Sequence, residues 1–296
     1  MSPARFRHFL AIDWSGAAGE RQPGIALALT DAAGGPPVLL DRGRGWSRAE
    51  VLDLLRSDLP PDTLVGMDLG ISLPFADAGA FFPGWDESPA DARALWALVD
   101  RLSEADPHLS AASFVAHTQA SRYFRRHGGM EGSAFHLPDA GHRQGRFRVA
   151  ERAQADRLGC KPTSNFNLVG AAQVGKSSLT GMRLLHRLDG ALPVWPVDPL
   201  PQSGSVVVEI YTTIAAMAGG RPAGRSKIRS VADLNASLAV IGSPPVPGAG
   251  PLDDHSADAL LTAAWLRIAA DRADLWAPSG LDRTIAETEG WTFGVP

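Results

Sequence analysis

The chain has 296 residues, 45% of them hydrophobic and 20% charged, with a formal net charge of -4, which is an ordinary globular composition. Its single cysteine, Cys160, excludes an internal disulfide framework and any multi-cysteine zinc or iron–sulfur site. The first apolar run is too short for a signal sequence, and no later run reaches the ~18 apolar residues of a membrane span. We therefore expect a soluble, cytoplasmic protein without a membrane partner.

Four short strands and one helix are predicted in the first part of the chain. Apolar runs bounded by turn residues mark the strands, at 9–12, 24–30, 38–40 and 63–68. The first two are close enough in sequence to form a hairpin. Ser47 with Glu50 three residues later makes a capping box, which predicts a helix before the fourth strand. The first and fourth strands both end in an aspartate, Asp13 and Asp68.

The pattern loosens over residues 73–162, which predicts a long insertion after the fourth strand, with helices near 88–104 and 143–158. Part of it is basic, because residues 122–157 hold eight arginines against four acidic residues, with aromatic residues interleaved. Arginine with aromatics suits phosphate contact and base stacking, although a solvated or disordered loop is the ordinary alternative. The candidate substrate-binding residues are Arg122, Arg125, Arg126, Arg143, Arg146, Arg148 and, from the next segment, Lys176.

The rest of the chain predicts a helix at 177–188, a fifth strand at 206–211 and a long helix that starts near Asp254. Glu209 interrupts the apolar run of the fifth strand, where an unpaired charge is expensive to bury. This glutamate therefore needs a metal ion, an arginine or water as its partner.

The order of these elements matches a ribonuclease H-like α/β fold. We expect one domain over residues 1–296, with a mixed five-stranded sheet in the order 3-2-1-4-5, flanking helices and the insertion at 73–162. In such a sheet the first, fourth and fifth strands are parallel neighbours, so their C-terminal ends open into one crevice. Asp13, Asp68 and Glu209 would meet there.

The final helix adds further acidic candidates. Asp254 and Asp258 are four residues apart and His255 and Asp258 are three apart, so either pair lies on one helical face. Carboxylates at the ends of neighbouring strands can share a cation, and oxygen ligands suit Mg²⁺ or Mn²⁺. The ordinary alternative is that Asp253 or Asp254 caps the helix, Asp258 interacts with the helix dipole and His255 is merely polar.

Four segments carry a resemblance to a known family. In chain order they are AIDWSGA at 11–17, VGMDLGISLP at 65–74, VVVEIYTT at 206–213 and DDHSADALLTAAW at 253–265. They resemble the family catalogued as domain of unknown function 429, whose members are regarded as predicted nucleases of the ribonuclease H fold. The piece His255-x-x-Asp258-Ala259-Leu260 also looks like the last metal-binding element of bacterial Holliday-junction resolvases.

The resemblance implies a metal-dependent nuclease. It implies Asp13 and Asp258 as ligands of Mg²⁺ or Mn²⁺, Asp68 as the acid that ends the fourth strand, and His255 as the first member of the helix pair, with Asp254 as a further candidate ligand. Such a site would hydrolyse DNA or RNA with two cations and His255 as a candidate proton acceptor, and the basic segment would attract the nucleic acid. The catalytic candidates are Asp13, Asp68, Glu209, His255 and Asp258.

Residues 170–177, GAAQVGKS, fit the P-loop pattern letter for letter, which would indicate an ATPase. The context is poor, because KPTSNFNLV at 161–169 makes a weak strand and the chain that follows is too short for a separate P-loop sheet. We favour a glycine turn with Ser177 as the helix N-cap, in which Lys176 can still contact a substrate phosphate.

Other classes compete with the nuclease. Sugar kinases and actin-like ATPases share the fold, but they require a second copy of it, which does not fit in 296 residues. A non-catalytic protein that binds nucleic acid or another ligand in the same cleft is the main alternative. A zinc site is not indicated, because no compact zinc pattern fits the spacing of His117, His127, His136 and His142.

Overall fold

A mixed sheet of six strands lies at the centre of the protein, in a computed structural model that describes residues 5–136, 145–170, 174–225 and 227–296. The strands are β1 His8–Asp13, β2 Arg21–Gln22, β3 Ala26–Asp31, β4 Val38–Leu39, β5 Trp46–Ser47, β6 Thr63–Asp68, β7 Val194–Trp195 and β8 Val206–Glu209. The order in the sheet is β4-β3-β1-β6-β8-β7, and β2 pairs with β5 in a separate ribbon.

The pairing directions divide the sheet into an antiparallel and a parallel half. β1 is antiparallel to β3 and parallel to β6, while β8 is parallel to both β6 and β7. The α/β class expected from the sequence is confirmed, but the sheet has six strands where five are predicted. The additional strand β7 has two residues between Pro193 and Pro196, too few to show an alternating pattern.

Helices cover both faces of this sheet. They are α1 Arg48–Asp53, α2 Ala92–Leu102, α3 Ala112–Ala116, α4 Val149–Leu158, α5 Val174–Arg187, α6 Thr212–Ala218, α7 Val231–Val240, α8 Asp254–Ala269, α9 Ala273–Trp276 and α10 Arg283–Thr288. The predicted capping box is confirmed at α1, and Asp253 caps α8 by accepting from the Ser256 N–H. Among the described residues, no helix is both long and apolar enough to cross a bilayer.

Two hydrophobic layers pack against the sheet, one on each face. Alternate residues of β1 enter them, Leu10 and Ile12 on the face with α2 and α5, and Phe9 and Ala11 on the face with α6 and α8. Because β1 is buried on both faces, its sequence is a continuous apolar run rather than an alternating one. Its polar C-terminal residue, Asp13, is itself buried at the end of this run.

Three of the four aromatic residues of the basic segment belong to the core, and the fourth, Phe147, is only partly buried. Tyr123, Phe124 and Phe135 are all buried, and Tyr123 packs on Phe82 with ring centroids 5.1 Å apart. Phe124 meets Phe166 edge to face at the same centroid distance of 5.1 Å. These rings are therefore committed to packing, which corrects the expectation that aromatics interleaved with arginines offer stacking surfaces for bases.

Candidate functional site

Two aspartates meet at the C-terminal ends of the central strands. Asp13 ends β1 and Asp68 ends β6, and they are partners in the parallel register. α8 packs along β1 and carries His255 in its first turn, where the ring Nδ1 lies 3.0 Å from Oδ2 of Asp13. Asp258 follows on the same helix and interacts electrostatically with both strand-end carboxylates. Four of the residues predicted from the sequence thus lie together.

The three carboxylates disfavour one another's charged forms. Burial is the main cause of the raised pKa of Asp13. Burial, followed by the charges of Asp13 and Asp258, raises the pKa of Asp68 well above its usual value. Burial and then the charge of Asp13 raise the pKa of Asp258 to about 7. A cluster of this kind takes up protons or a cation, because either one relieves the repulsion.

His255 connects this cluster to a cleft. Its hydrogen bond with Asp13 is the main cause of its raised pKa, so the ring keeps its second proton over a wider pH range. The side chain is half exposed and lines the cleft. Gly24 leaves room for the ring, because a Cβ at that position would lie 3.3 Å from Cε1 of His255.

The donors at this edge are chemically suited to Mg²⁺ or Mn²⁺, because they are carboxylate oxygens with an adjoining imidazole. In the part of the chain that the structure describes, however, no group of three or more His, Cys, Asp or Glu side chains is arranged to hold a metal ion. Asp254, a further predicted ligand, forms an ion pair with Lys227 and lies 3.6 Å from Nε of Arg229. These two cationic side chains would compete with a metal ion for the carboxylate oxygens of Asp254.

Glu209 uses both of its oxygens inside the protein. Arg148 donates from Nη2 to Oε1 at 2.5 Å and from Nη1 to Oε2 at 2.8 Å. The Thr292 hydroxyl also donates to Oε1, and the Ile71 N–H donates to Oε2. Of the three partners that the sequence allows, metal, arginine or water, the structure supplies an arginine.

Arg146 and Arg148 lie in the interior, each with 1% of its surface exposed. Arg146 binds Asp77 and three backbone carbonyls, those of Pro74, Ala80 and Phe81. Arg148 bridges Glu151 and Glu209. Internal partners thus engage both guanidinium groups, and Arg148 also lines the cavity described below. The predicted substrate contacts of these two arginines stay predictions.

The other arginines predicted to bind substrate have different surroundings. Arg122 is partly exposed and donates to the Gln119 side chain, and Nε of Arg125 lies 3.8 Å from Glu131. Arg126 and Lys176 line one cavity together. Arg143 lies outside the described residues. Of these predicted groups, Lys176 and Arg126 thus line a cavity, and the substrate contacts of the others stay predictions.

The P-loop-like stretch leads into α5, with residues 171–173 outside the described part. No strand precedes it in the described segment 145–170, because Asn167 forms only an isolated bridge with Arg125. α5 begins at Val174, so Ser177 lies within the helix and is not its N-cap, which corrects the predicted cap. Gly175 has a packing role, because a Cβ there would lie 2.4 Å from the Asn165 carbonyl oxygen.

A cavity of about 420 Å³, named here the first cavity, opens between these elements. Its wall includes Ser15, Asp68 and His255, with two of the chain's three lysines, Lys161 and Lys176. Asp13 and Asp258 are not among the residues that line this cavity. His255 does line it, and its hydrogen bond with Asp13 connects that aspartate to the cavity wall. Sequence reasoning missed Lys161, whose one signal is that lysine is rare in this chain.

The first cavity thus combines carboxylates, an imidazole that can give or take a proton, and two ammonium groups. This set suits an anionic substrate that is positioned by cations and exchanges a proton with His255. Asp68 provides the direct connection between the cavity and the acidic cluster. A comparison of the chain with protein-family models, with curated proteins and with solved structures finds no match.

Proposed function

We propose that the protein is a Mg²⁺- or Mn²⁺-dependent phosphodiesterase that hydrolyses nucleic acid. The observation that carries this proposal is the meeting of Asp13, Asp68 and Asp258, where burial and then the neighbouring carboxylate charges raise the pKa of Asp68 and Asp258. Carboxylates that repel one another gain from a divalent cation, which in turn attracts a phosphate. Lys161 and Lys176 in the first cavity add to that attraction.

The fold that we propose with this activity is ribonuclease H-like. Its support is the sheet order β4-β3-β1-β6-β8, with an antiparallel start followed by parallel strands. β7 is an addition beside β8. The resemblance to the domain of unknown function 429 family points to the same fold and stays a prediction.

Each residue of the site has a role in this proposal. Asp13, Asp68 and Asp258 would hold the cations, which when bound polarise the phosphate and activate a water. His255, oriented by Asp13, would donate a proton to the leaving oxygen, because its raised pKa suits a donor better than the acceptor expected from the sequence. Glu209 and Arg148 form an ion pair in the wall of the first cavity, so Glu209 would hold the end of β8 and orient Arg148 there.

Cleavage of single-stranded, duplex and branched DNA and RNA in Mn²⁺ tests the proposal. We compare the wild type with Asp68→Asn and with Asp156→Asn, a matched control at an exposed position of α4. The wild type and the control should cleave, and Asp68→Asn should lose at least about 100-fold in rate. Cleavage that survives Asp68→Asn, or that proceeds in EDTA, would contradict the proposal.

A non-catalytic nucleic-acid-binding protein is the second candidate. It is favoured by one observation, the lack of a ready-made group of three metal ligands among the described residues. This candidate predicts that nucleic acid binds in the same cleft and is never cut, whichever divalent cation is supplied. Turnover is therefore the measurement that separates the two candidates, because Lys176→Ala would weaken binding in both.

A further inference from the structure

A second cavity of about 460 Å³ adjoins the first. The two share Gly16 and Lys176, so they lie on either side of the contact between the loop after β1 and the start of α5. That contact is close, because a Cβ on Gly16 would lie 2.3 Å from the backbone carbon of Lys176. A ligand held at Lys176 can therefore extend into either cavity.

The wall of the second cavity is largely apolar. Its apolar side chains include Ala112, Val115, Met130, Leu168 and Leu179. The Thr180 hydroxyl is already engaged, because it accepts from Nε1 of Trp14 at 3.0 Å and donates to the Lys176 carbonyl at 3.0 Å. The interior thus favours an apolar or flat group.

The same wall is positively charged. It includes Arg126, His127 and Lys176, and no carboxylate among the described residues that form it. Nε of Arg126 is shielded from solvent and has no hydrogen-bond partner among the described residues. Arg48 lies behind the loop, fully buried, and donates to the carbonyls of Ser15, Ala17 and His108. The charge of the cavity therefore complements an anion.

We propose that the second cavity binds one unpaired nucleobase, from the nucleotide whose phosphate lies at Lys176. This inference rests on the proposed function and deepens it by naming the substrate class. A base stacked in a duplex cannot enter a cavity of this kind, so the bound nucleotide is unpaired. The protein consequently acts on single-stranded segments, with little preference for one base because most of the wall is apolar.

Equilibrium binding in EDTA tests this inference without any need for catalysis. Fluorescein-labelled octamers of dT and dA, an abasic octamer with the same backbone, and a blunt-ended duplex without a loop are compared by fluorescence anisotropy at one salt concentration. The dT and dA octamers should bind with similar affinity, each about tenfold more tightly than the abasic octamer and the duplex. Equal binding of the abasic octamer or of the duplex would overturn the inference.

A cavity-filling variant locates the base. Ala112→Trp places a large side chain on the wall from an exposed position of α3, and Ala155→Trp makes the same change at an exposed position of α4 outside both cavities. Ala112→Trp should remove the advantage of dT over the abasic octamer, while Ala155→Trp should retain it. If Ala112→Trp binds dT as the wild type does, the base lies elsewhere and the inference is wrong.

The outcomes also separate this inference from the proposed function. If the protein prefers unpaired bases but cleaves no substrate with any divalent cation, the proposed phosphodiesterase activity is rejected and the proposed base site is retained. If the protein cleaves duplex and single strands equally, the proposed phosphodiesterase activity is retained and the proposed base site is rejected. Displacement of the dT octamer by hexyl phosphate at a lower concentration than by thymidine monophosphate would assign the cavity to an aliphatic chain instead.

Discussion

The candidate site depends on the absence of a side chain at Gly16. A Cβ there would lie 2.3 Å from the Lys176 carbon and 2.4 Å from the Ser177 nitrogen, which are backbone atoms that cannot step aside. Gly35 has nothing within 4 Å of the same position. The loop after β1 and the start of α5 are therefore held at a spacing that only glycine permits.

Gly16→Ala should consequently destabilise the protein by about 2 kcal/mol, because the two segments must separate to admit a methyl group. It should also lower cleavage, since both cavities share this contact. Gly35→Ala is the matched control and should change the free energy of unfolding by less than about 1 kcal/mol. Urea unfolding of the two variants measures the difference, and equal stability would show that the loop and the helix can shift freely.

Asp258 should make the stability of the metal-free protein depend on pH. Its pKa is about 7 in the folded state and about 4 in an unfolded chain. Between these two pH values the Asp258 carboxyl is protonated in the folded state and ionised in the unfolded chain. The contribution of Asp258 to the free energy of unfolding is therefore fully present below pH ~4 and is lost as the pH rises through ~7.

The measurement is the unfolding free energy of the wild type minus that of Asp258→Asn, in EDTA, from pH 4 to 8. This difference should fall as the pH rises towards about 7 and then stay level. A flat difference over the whole range would mean that the Asp258 carboxylate is solvated like an ordinary surface group.

Individual residues differ in how far the sequence predicts them. Asp13 and Asp68 are predictable because strand ends are visible in the apolar pattern, and His255 and Asp258 because helical spacing is simple. Arg146 and Arg148 are not, because a sequence does not show which carboxylates and carbonyls will surround a buried guanidinium. The Glu209 charge in an apolar strand does predict a buried partner, which the structure identifies as Arg148.

At the level of elements, Glu289 joins three parts of the chain. Its Oε1 accepts from the N–H groups of Phe75 and Ala76, and its Oε2 accepts from the N–H of Val149 at the start of α4. The residue is fully buried at the end of α10. One carboxylate thus connects the segment after β6, α4 and the C-terminal segment.

Glu289→Gln should destabilise the protein by about 3 kcal/mol, because the amide NH₂ must face a backbone N–H in either orientation. Glu287→Gln is the control on the same helix, where an exposed glutamate pairs with Arg283 and the change should cost less than about 0.5 kcal/mol. Thermal unfolding of the two variants gives the comparison. If both melt at the same temperature, the buried network contributes no more than a surface pair.

Elements with strong periodicity or caps are the predictable ones. The start of α8 and the capping box of α1 follow from the sequence because local residues determine them. α6 and α7 are missed because their stability comes from packing against α8 rather than from a clear amphipathic pattern. β7 is missed because a two-residue strand is defined by its partner β8.

Over the whole molecule, the net charge of -4 conceals cations placed around the two cavities. Lys161 and Lys176 are exposed on the wall of the first cavity, and the second cavity adds Arg126. The acidic residues elsewhere repel a polyanion from the rest of the surface. Binding should therefore be local and strongly salt-dependent.

Lys161→Ala and Lys176→Ala should each reduce the slope of log affinity for a dT octamer against log salt concentration by about 0.7, the value for one contact to a single strand. Arg283→Ala, which removes an exposed cation outside the cavities, should leave the slope unchanged. Anisotropy titrations at several salt concentrations measure the slopes. A similar loss in all three variants would indicate diffuse attraction rather than binding in the cleft.

The central claim is that the carboxylates at the ends of β1 and β6 and on α8 bind a divalent cation. The most direct test is to titrate the protein with Mn²⁺ and to measure the concentration of free Mn²⁺ by its electron paramagnetic resonance signal. The wild type and Asp156→Asn should bind Mn²⁺ with equal affinity, and Asp68→Asn should bind it at least about tenfold more weakly. Equal binding by the wild type and Asp68→Asn, or no binding by the wild type, would contradict the account.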